Sequence, residues 1–384
     1  MADKKQKIIF IVAHFFPLSE GVGNATFNLC RALRESGRFE TGVITPRYNG
    51  AHQKFEVWNG IKIWRAGNGK NLQNFFRFAV YLEFLIKSLY IIWKEKPQIV
   101  FAQTAWEGGV ISAIAGKLFG AISVVQTHGH PYFANRIHFL ARWAYKNNKL
   151  VLATNTDYID ILQKNNWLKK GARVAVLPNA YFPPEVGQNR FDLRQKFNLD
   201  NESFHVLFVG RLDLERGVET KGLSYAIESM KNLEGYKMHV YGGGSLKDFY
   251  QKMIDEAKLQ NRVILHGKTD PASLYEIMCA ADALLMPSLN EGLSMTMIEA
   301  MSASLPVIIT RTSGALDYIQ DGINGFYIEK KDPESIIWAV KKLKDDRSLK
   351  EAVGKNCLET FKNNFSGIKI TEKFEYILQE NYSR

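Results

Sequence analysis

The chain has 384 residues, of which 46% are hydrophobic, a length and composition typical of a globular protein with two domains. Its three cysteines, Cys30, Cys279 and Cys357, lie far apart without C-x-x-C spacing, which argues against a disulfide framework or a zinc cluster. The formal net charge of +11 admits nucleic acid, an anionic membrane surface or a phosphorylated substrate as partner, and charge alone does not choose among them.

The N-terminal sequence MADKKQKIIFIVAHFF is basic and then apolar. Its apolar run is short and meets Pro17, which favours a buried first strand over a secretory signal peptide. We therefore expect a cytoplasmic protein with reduced thiols.

Apolar runs of strand length alternate with segments of helical period through the first half of the chain. Helices are predicted near residues 24–36, 74–95, 107–119 and 133–147. The predicted strands are KIIFIVA (7–13), TGVIT (41–45), QIVFAQ (98–103), ISVVQT (122–127), KLVLAT (149–154) and RVAVLP (173–178). Unbroken Val, Ile and Leu runs are typical of strands buried on both faces, so the alternation predicts βαβ units around a parallel sheet.

A segment rich in Pro, Asn and Gly, LPNAYFPPEVGQNRF (177–191), marks a domain boundary, after which the alternation starts again. The strands predicted beyond it are FHVLFVG (204–210), KMHVYG (237–242), RVILHG (262–267), ADALLMP (281–287) and LPVIIT (305–310). The prediction is an α/β protein with two Rossmann-like domains facing each other across a ligand cleft. The N-terminal domain is expected at 1–183 and the C-terminal domain at 184–362, followed by a helix at 363–384 whose apolar positions need a surface to pack on.

The segment NFFRFAVYLEFLIKSLYIIW (74–93) is almost long enough to span a bilayer, but Arg77, Glu83 and Lys87 interrupt it. Two interpretations stay open: a buried amphipathic helix, or a helix lying in the membrane interface. The second interpretation would place the protein on the cytoplasmic face of an anionic membrane.

Gly21 and Gly23 are predicted to lie in a turn between the first strand and a helix that starts at about Asn24. Such a turn lets backbone N–H groups approach an anion or a ligand oxygen, but a tight strand-to-helix connection explains it equally well. The fingerprint G-x-G-x-x-G is absent because Thr26 stands at the third glycine position, which disfavours a nicotinamide dehydrogenase.

In the second domain, Gly210 and Arg211 follow a strand, and Lys221 and Gly222 stand at the head of a helix. A guanidinium and an ammonium brought together at such ends are suited to clamp a pyrophosphate without a metal, whereas taken alone they would be two solvated cations. The sequence VYGGGSLKDF places Gly243 in a second glycine turn at the same sheet edge.

The stretch PSLNEGLSMTMIEAMSASLPVI (287–308) holds Glu291 and Glu299 around a predicted helix start. Ser294 is the predicted N-cap, so the free N–H groups of GLS would suit a phosphate. Eight residues turn through slightly more than two helical turns, which would put Glu299 on nearly the same face as Glu291.

The order and spacing of three segments resemble those of the retaining glycosyltransferases of the GT-B fold, in the large family 4 that carries the E-x7-E motif. The segments are VGRLD with KG, GGGSL and EGLSMTMIEAM. The resemblance covers the whole chain, and residues 287–308 are its most specific part. It implies a donor site in the second domain, an acceptor site in the first, and a final helix that crosses back to the first domain.

The resemblance also implies roles for single residues. Arg211 and Lys221 would neutralise a nucleotide diphosphate, Glu299 would hold the ribose, and Glu291 would meet the donor sugar. The backbone groups expected at the donor are those of Gly21, Gly210, Gly243, Gly292, Leu293 and Ser294. The residues expected to act in catalysis are Glu291, His128, Arg211 and Lys221.

At three positions the assignment depends on the family pattern or departs from it. His128, in QTHGHP, matches the family histidine near the donor sugar; without that match it would be read as a core or loop histidine. Glu20 stands beside Gly21 where the family has paired glycines. The spacing from Arg211 to the lysine is longer than usual, so Arg216 and Lys221 both stay candidates for the second cation, with Lys221 favoured by the helix pattern after it.

These features predict transfer of a hexose-type sugar from a UDP- or GDP-sugar to an acceptor hydroxyl, with retention and without a metal or other cofactor. No carboxylate is placed as a nucleophile, so the resemblance favours a front-face route in which the departing phosphate oxygen takes the acceptor proton. The basic balance and the aromatic segment favour a lipid-linked glycan or glycolipid as acceptor. A sugar-nucleotide epimerase or hydrolase and a non-catalytic nucleotide-sugar-binding subunit stay as alternatives, and nucleic acid is disfavoured.

Overall fold

The structure, a computed structural model, describes residues 5–16, 21–47, 52–67, 77–129, 138–215 and 217–382. The chain forms two compact units, Met1–Ala180 with Ser366–Arg384, and Tyr181–Phe365. The break at 180 lies just before the predicted boundary at 183. Both units are α/β with largely parallel sheets, so the predicted fold class of two Rossmann-like domains is confirmed.

The first unit contains strands β1 (Gln6–Ile11), β2 (Phe39–Pro46), β3 (Phe55–Trp58), β4 (Ile61–Ala66), β5 (Ile99–Ala102), β6 (Ile122–Thr127), β7 (Leu150–Ala153) and β8 (Arg173–Val176). They form one sheet in the order β3-β4-β2-β1-β5-β6-β7-β8. Only the β3–β4 pair is antiparallel. The central strands β1 and β5 pair in register, with Ile8 opposite Ile99, and their apolar side chains are buried as the unbroken runs predicted.

The β3–β4 hairpin is an element that the apolar runs did not predict. Its strands are joined at Asn59 and Gly60, which both have positive φ, the requirement of the tight turn favoured in two-residue hairpins. The dipeptide Asn-Gly between Trp58 and Ile61 was therefore the local signal for this hairpin.

Helices of the first unit connect these strands: α1 (Gly21–Glu35), α2 (Arg77–Glu95), α3 (Gly108–Phe119), α4 (His138–Asn147) and α5 (Thr156–Lys164). Helix α1 begins at Gly21 and not near Asn24, so Gly21 and Gly23 lie in its first turn instead of in a loop before it. Glu20 lies outside the described residues.

Helix α2 is amphipathic, whereas its contact with a membrane stays a prediction. Phe84 and Ile92 are buried against the sheet, whereas another stripe of the same helix is exposed to solvent. The exposed large side chains are Leu82, Ile86, Tyr90 and Trp93. Residues 74–76 of the predicted segment lie outside the described residues. Within the part of the chain that the structure describes, no helix is both long and apolar enough to cross a bilayer.

The second unit contains β9 (Phe204–Val209), β10 (Leu214–Glu215), β11 (Val218–Glu219), β12 (Tyr236–Tyr241), β13 (Val263–Gly267), β14 (Ala283–Met286), β15 (Val307–Thr310) and β16 (Phe326–Ile328). Its main sheet is parallel in the order β13-β12-β9-β14-β15-β16, and β10 and β11 form a separate hairpin. The helices are α6 (Arg190–Lys196), α7 (Leu223–Ser229), α8 (Lys247–Glu256), α9 (Pro271–Ala280), α10 (Met295–Ser302), α11 (Ser313–Tyr318), α12 (Pro333–Asp345) and α13 (Arg347–Asn364).

The last helix, α14 (Gly367–Tyr382), belongs to the first unit. Its fully buried Phe374 stacks near Phe101 at 5.7 Å between ring centroids and contacts Phe39 at 6.0 Å. An ion pair of 2.7 Å between Arg38 and Glu375 joins it to the residue before β2. The apolar stripe of the final segment thus finds its packing surface on the N-terminal domain, as the resemblance implied.

Candidate functional site

The strand order of the second unit points to one edge of its sheet. The chain proceeds from β9 to β12 and β13 on one side, and then places β14 on the other side of β9. Because β9 and β14 are parallel neighbours, their carboxyl ends form a topological switch point, the place where open α/β sheets bind ligands. The residues that follow these strands are therefore the candidates for a site.

Two glycine turns meet at this edge. Gly242 follows β12 with φ +148°, and a Cβ atom at this position would collide with the carbonyl oxygen of Gly210, which follows β9. Backbone hydrogen bonds from Gly210 N to Tyr241 O and from Leu212 N to Gly243 O, both 3.0 Å, fix the two turns to each other. The two turns therefore pack closely on each other, and their glycines leave the backbone accessible to a ligand.

The long spacing between Arg211 and Lys221 has a structural cause. The intervening residues fold back as the β10–β11 hairpin, in which Leu214 pairs with Glu219, so the chain returns to the sheet edge before α7. Lys221 therefore stands just before α7 and faces the same space as Arg211. Arg216, the other candidate for the second cation, lies outside the described residues.

Glu219 anchors the returning end of this hairpin. Its carboxylate accepts hydrogen bonds from the backbone N–H of Ser224 at 3.0 Å, from the hydroxyl of Ser224, and from the hydroxyl of the buried Tyr250 on α8 at 2.9 Å. Lys221 lies between Glu219 and Ser224 in the chain, so these bonds fix the turn that carries it. Sequence reasoning did not identify this role, because it depends on Tyr250, a residue of a later helix.

A cavity of about 390 Å³ lies at the switch point. Five of the predicted site residues line it: Gly210, Arg211, Lys221, Gly243 and Ser294. Polar side chains that the sequence did not single out also line it: Tyr241, Lys268, Thr269 and Thr296. With Lys268 the cavity contains three cationic side chains, which suits a ligand with more than one negative charge.

Each cation has an acidic neighbour. Lys221 forms an ion pair with Glu291, and both side chains are mostly shielded from solvent, at 23% and 18% exposure. Arg211 pairs with Glu215 at 2.7 Å, but its side chain is 73% exposed. Hydrogen bonds from Ser245, and then the charges of Arg211 and Lys268, lower the pKa of the exposed Asp213. The pair of Lys221 and Glu291 is thus the most shielded contact at the cavity.

Ser294 is the N-cap of α10, as predicted: its Oγ accepts a hydrogen bond from the N–H of Met297 at 3.4 Å. Helix α10 begins only at Met295, so Glu291 lies in the loop before it and the prediction that both glutamates share a helix face was wrong. The loop forms because Gly292 and Ser294 favour non-helical and capping backbone conformations. Gly292 and Leu293 belong to this loop and not to the cavity lining.

Glu299 lies on α10 outside the cavity lining. Burial raises the pKa of its carboxyl group to about 7, and burial followed by the charge of Glu299 raises the pKa of Tyr181. Hydrogen-bond donors that contact a carboxyl group with a pKa this high would stabilise its ionised form and lower that pKa. Ligand hydroxyl groups would be such donors.

The two remaining predicted residues, Gly21 and His128, belong to the first unit. Nε2 of His128, which follows β6, forms a hydrogen bond with Oε1 of Gln103, which follows β5. Burial lowers the pKa of His128 to about 4, so the ring is neutral at physiological pH. Gly21 is exposed at the start of α1. The switch point of this sheet lies between β1 and β5, beside Gln103.

A chain of three histidines crosses one face of the second sheet. His205 contacts His239, and His239 contacts His266, each through ring nitrogens 2.9 Å apart. Nε2 of His205 donates to the carbonyl oxygen of Asp200 at 2.9 Å, and the ring of His266 stacks on Tyr241 of the cavity at 4.5 Å. Burial lowers the pKa of all three rings, that of His239 to about 3. The rings are therefore neutral: Nε2 of His239 donates to Nδ1 of His205, and Nε2 of His266 donates to Nδ1 of His239.

No group of three His, Cys, Asp or Glu side chains among the described residues is arranged to hold a metal ion. The groups that would meet a negatively charged ligand at this cavity are instead its basic side chains and backbone N–H groups.

Two Rossmann-like domains, one with a cationic cavity at its switch point, are the architecture of the GT-B glycosyltransferases. The family model of glycosyltransferase family 4 matches residues 19–181, and the model of glycosyl transferases group 1 matches residues 189–360. The chain therefore belongs to the family 4 glycosyltransferases with the GT-B fold.

Similar proteins agree with this assignment. The chain is 28% identical over 305 residues to an Escherichia coli UDP-Gal:alpha-D-GlcNAc-diphosphoundecaprenol alpha-1,3-galactosyltransferase, covering 75% of this chain and 77% of that protein. A match to an uncharacterised glycosyltransferase of Methanocaldococcus jannaschii, 26% identical, spans about half of each protein, 52%. Among solved structures, sucrose-phosphate synthase from Thermosynechococcus elongatus has a TM-score of 0.83 at 19% identity, covering 99% of this chain and 100% of that one. Anabaena HepE in complex with UDP has a TM-score of 0.78 at 17% identity, with 98% and 100% covered.

Proposed function

We propose that the protein transfers a hexose-type sugar from a UDP-sugar to a hydroxyl group of a lipid-linked glycan, with retention at the anomeric carbon and without a catalytic metal. The observation that carries this proposal is the cavity of the second unit, which gathers Arg211, Lys221, Lys268 and the N-cap of α10 at the switch point of the sheet. These groups suit a diphosphate, the charged part that all nucleotide sugars of this kind share.

The choice of donor and acceptor draws on similar proteins. HepE, a structural neighbour, is described in complex with UDP and with UDP-glucose, and the Escherichia coli relative is named for UDP-Gal and for an acceptor on diphosphoundecaprenol. By analogy, we assign a uridine donor and a polyprenyl-diphosphate acceptor. Glu299 would accept hydrogen bonds from the ribose hydroxyls, which would stabilise its ionised form.

In the proposed reaction, the acceptor oxygen bonds to the anomeric carbon on the face from which the diphosphate departs. The bond between that carbon and the phosphate oxygen breaks, and the same phosphate oxygen takes the proton of the acceptor hydroxyl. Arg211, Lys221 and the N–H groups at the start of α10 would stabilise the charge that develops on the leaving group. Glu291 would hold a hydroxyl group of the donor sugar. His128 would lie near the donor sugar with a neutral imidazole ring.

The test is a transfer assay with purified protein in EDTA, a panel of UDP- and GDP-hexoses, and a polyprenyl-diphosphate-linked N-acetylhexosamine in vesicles. Nuclear magnetic resonance should show a new glycosidic bond with the anomeric configuration of the donor. Free hexose with no acceptor product would favour a hydrolase, and tight donor binding without turnover would favour a binding subunit. An inverted product, or activity that requires a divalent metal, would contradict the proposed mechanism.

A surface of the first unit supports the membrane part of the proposal. Helix α3 packs against both α2 and α4, so the three helices lie side by side. Each of them exposes large apolar side chains, namely Leu82, Ile86, Tyr90, Trp93, Leu118, Phe119, Phe139 and Trp143. Basic side chains are interspersed with them, and Nζ of Lys117 lies 5.0 Å from the ring of Trp143. Apolar and aromatic side chains with neighbouring cations are typical of a surface that lies on anionic lipid.

Flotation with vesicles containing phosphatidylglycerol tests this contact. The wild type should float with these vesicles at low salt and less at high salt. Replacing Ile86 and Trp93 with Asp should abolish flotation. The matched control is Trp338→Asp in the second unit, where the side chain is 50% exposed, close to the 56% of Trp93. Equal loss in the control, or no flotation of the wild type, would move the proposal to an acceptor in solution.

A further inference from the structure

We infer that the ion pair between Lys221 and Glu291 is exchanged during each donor-binding event: the diphosphate takes Lys221, and Glu291 turns to the transferred sugar. On this view the pair selects nucleotide sugar over the nucleoside diphosphate product. The inference rests on the proposed function, because it assumes that the cavity binds the donor diphosphate.

The backbone around the pair is fixed. The N–H of Leu289 donates to the carbonyl oxygen of Thr220 at 2.8 Å, which joins the loop of Glu291 to the turn of Lys221. The hydroxyl of Thr310 on β15 donates to the carbonyl oxygen of Ser288 and anchors the same loop to the sheet. Lys221 lines the cavity, whereas Glu291 contacts it through Lys221. At this fixed backbone, an exchange of partners would take place by side-chain rotation.

The charges at the cavity favour the exchange. The acidic neighbours of Arg211 and Lys268 are the exposed Glu215 and Asp213, whose attraction water screens strongly. Lys221 is different because its partner is shielded with it. A diphosphate in the cavity is attracted most strongly by the cation that water screens least, so it competes with Glu291 for Lys221.

Losing Lys221 leaves the partly buried carboxylate of Glu291 without its cation. A donor that carries a sugar offers the hydroxyl groups of that sugar as hydrogen-bond donors to this carboxylate, whereas a nucleoside diphosphate ends there in a phosphate with one more negative charge and no hydroxyl group of a sugar. An unpaired carboxylate in a shielded place is unfavourable, so the free diphosphate binds less well than the same diphosphate with a sugar attached. After transfer, return of Lys221 to Glu291 favours product release.

Calorimetric titration with UDP and with the matching UDP-hexose in EDTA tests the inference. Glu291→Gln removes the competing charge, so UDP should bind about five-fold more tightly than to the wild type. The UDP-hexose should gain nothing or lose affinity, since the amide replaces a stronger acceptor. The matched control, Glu215→Gln, breaks the exposed pair at the same cavity and should change both affinities by less than about two-fold.

An unchanged UDP affinity in Glu291→Gln, or equal gains for UDP and UDP-hexose, would overturn the exchange while leaving the donor site intact. Failure of the wild type to bind either ligand would instead overturn the proposed function. A crystal structure of the wild type with UDP provides a second test, which needs no variant. It should show Lys221 on a phosphate oxygen and apart from Glu291, and a retained ion pair would contradict the inference.

Discussion

Tyr250 of helix α8 donates a hydrogen bond of 2.9 Å to Glu219, which ends the β10–β11 hairpin. Glu219 also accepts two hydrogen bonds from Ser224, in the first turn of α7. One carboxylate thus joins a hairpin and two helices directly beside Lys221. The position of this cation depends on a residue that does not line the cavity.

Glu219→Gln should therefore weaken nucleoside diphosphate binding, because the amide cannot accept all three hydrogen bonds and the turn that carries Lys221 loosens. Tyr250→Phe removes one of the bonds and should cost about 1 kcal/mol of stability with a smaller loss of affinity. Titration with UDP measures the first effect and thermal unfolding the second. If Glu219→Gln bound UDP as the wild type does, the anchoring role would be wrong.

Gly242→Ala should prevent the glycine turns from meeting. The new methyl group would collide with the carbonyl oxygen of Gly210, and φ of +148° is strained for any residue with a side chain. We expect a loss of more than about 2 kcal/mol in the free energy of unfolding and loss of nucleotide binding.

The control for this variant is Gly187→Ala, where a Cβ atom would meet nothing within 4 Å. Its melting temperature should stay within about one degree of the wild type or rise slightly. A Gly242→Ala protein with normal stability and normal UDP affinity would show that the two turns are not packed as described.

The histidine chain predicts a pH dependence of stability. Burial holds the pKa of His239 at about 3, below the unfolded value of about 6.5, so the unfolded chain binds more protons. Its contribution to stability is complete above about pH 6.5 and is lost as the pH falls towards 3. Lys237, which pairs with Asp200 at 2.7 Å, adds a positive charge near the chain and acts in the same direction.

The measurement is the melting temperature between pH 7.5 and 5.0. The wild type should lose about 1 kcal/mol through His239 by pH 5.5, and the lowered pKa values of His205 and His266 should add to this loss. His239→Gln should show a shallower slope over the same range, even if its stability at pH 7.5 is lower. His128→Asn is the comparison in the first unit, since burial also holds that pKa low, at about 4. Parallel slopes for the wild type and His239→Gln would contradict the assignment.

The strands that frame the site were predictable because they are buried on both faces. Phe204–Val209 and Ala283–Met286 read as unbroken apolar runs, and an N-cap serine before a helix is a local signal. The predicted N-cap Ser294 also gave the helix start at Met295, but the spacing of eight residues was treated as helical throughout although Glu291 precedes the helix.

Contacts between distant residues were not predictable. Lys221 and Glu291 are 70 residues apart, and nothing in either neighbourhood marks them as partners. In the sequence, Lys268 cannot be told from a solvated lysine. The sheet order places β13 beside β12, which brings the end of β13, with Lys268, to the cavity. The chemistry of the site thus depends on the order of the strands in the sheet. Local sequence patterns do not show this order, and only the family resemblance indicated it.

The most direct test of the donor site is thermal stability of the wild type and Glu299→Ala with a panel of nucleoside diphosphates and their sugars, in EDTA. The wild type should be stabilised by uridine nucleotides, since a ligand that binds only the folded state raises its melting temperature. Glu299→Ala should lose most of this shift. A shift with guanosine nucleotides alone would reassign the donor base. No shift with any nucleotide would contradict the central claim that the cavity of the second unit binds a nucleotide sugar.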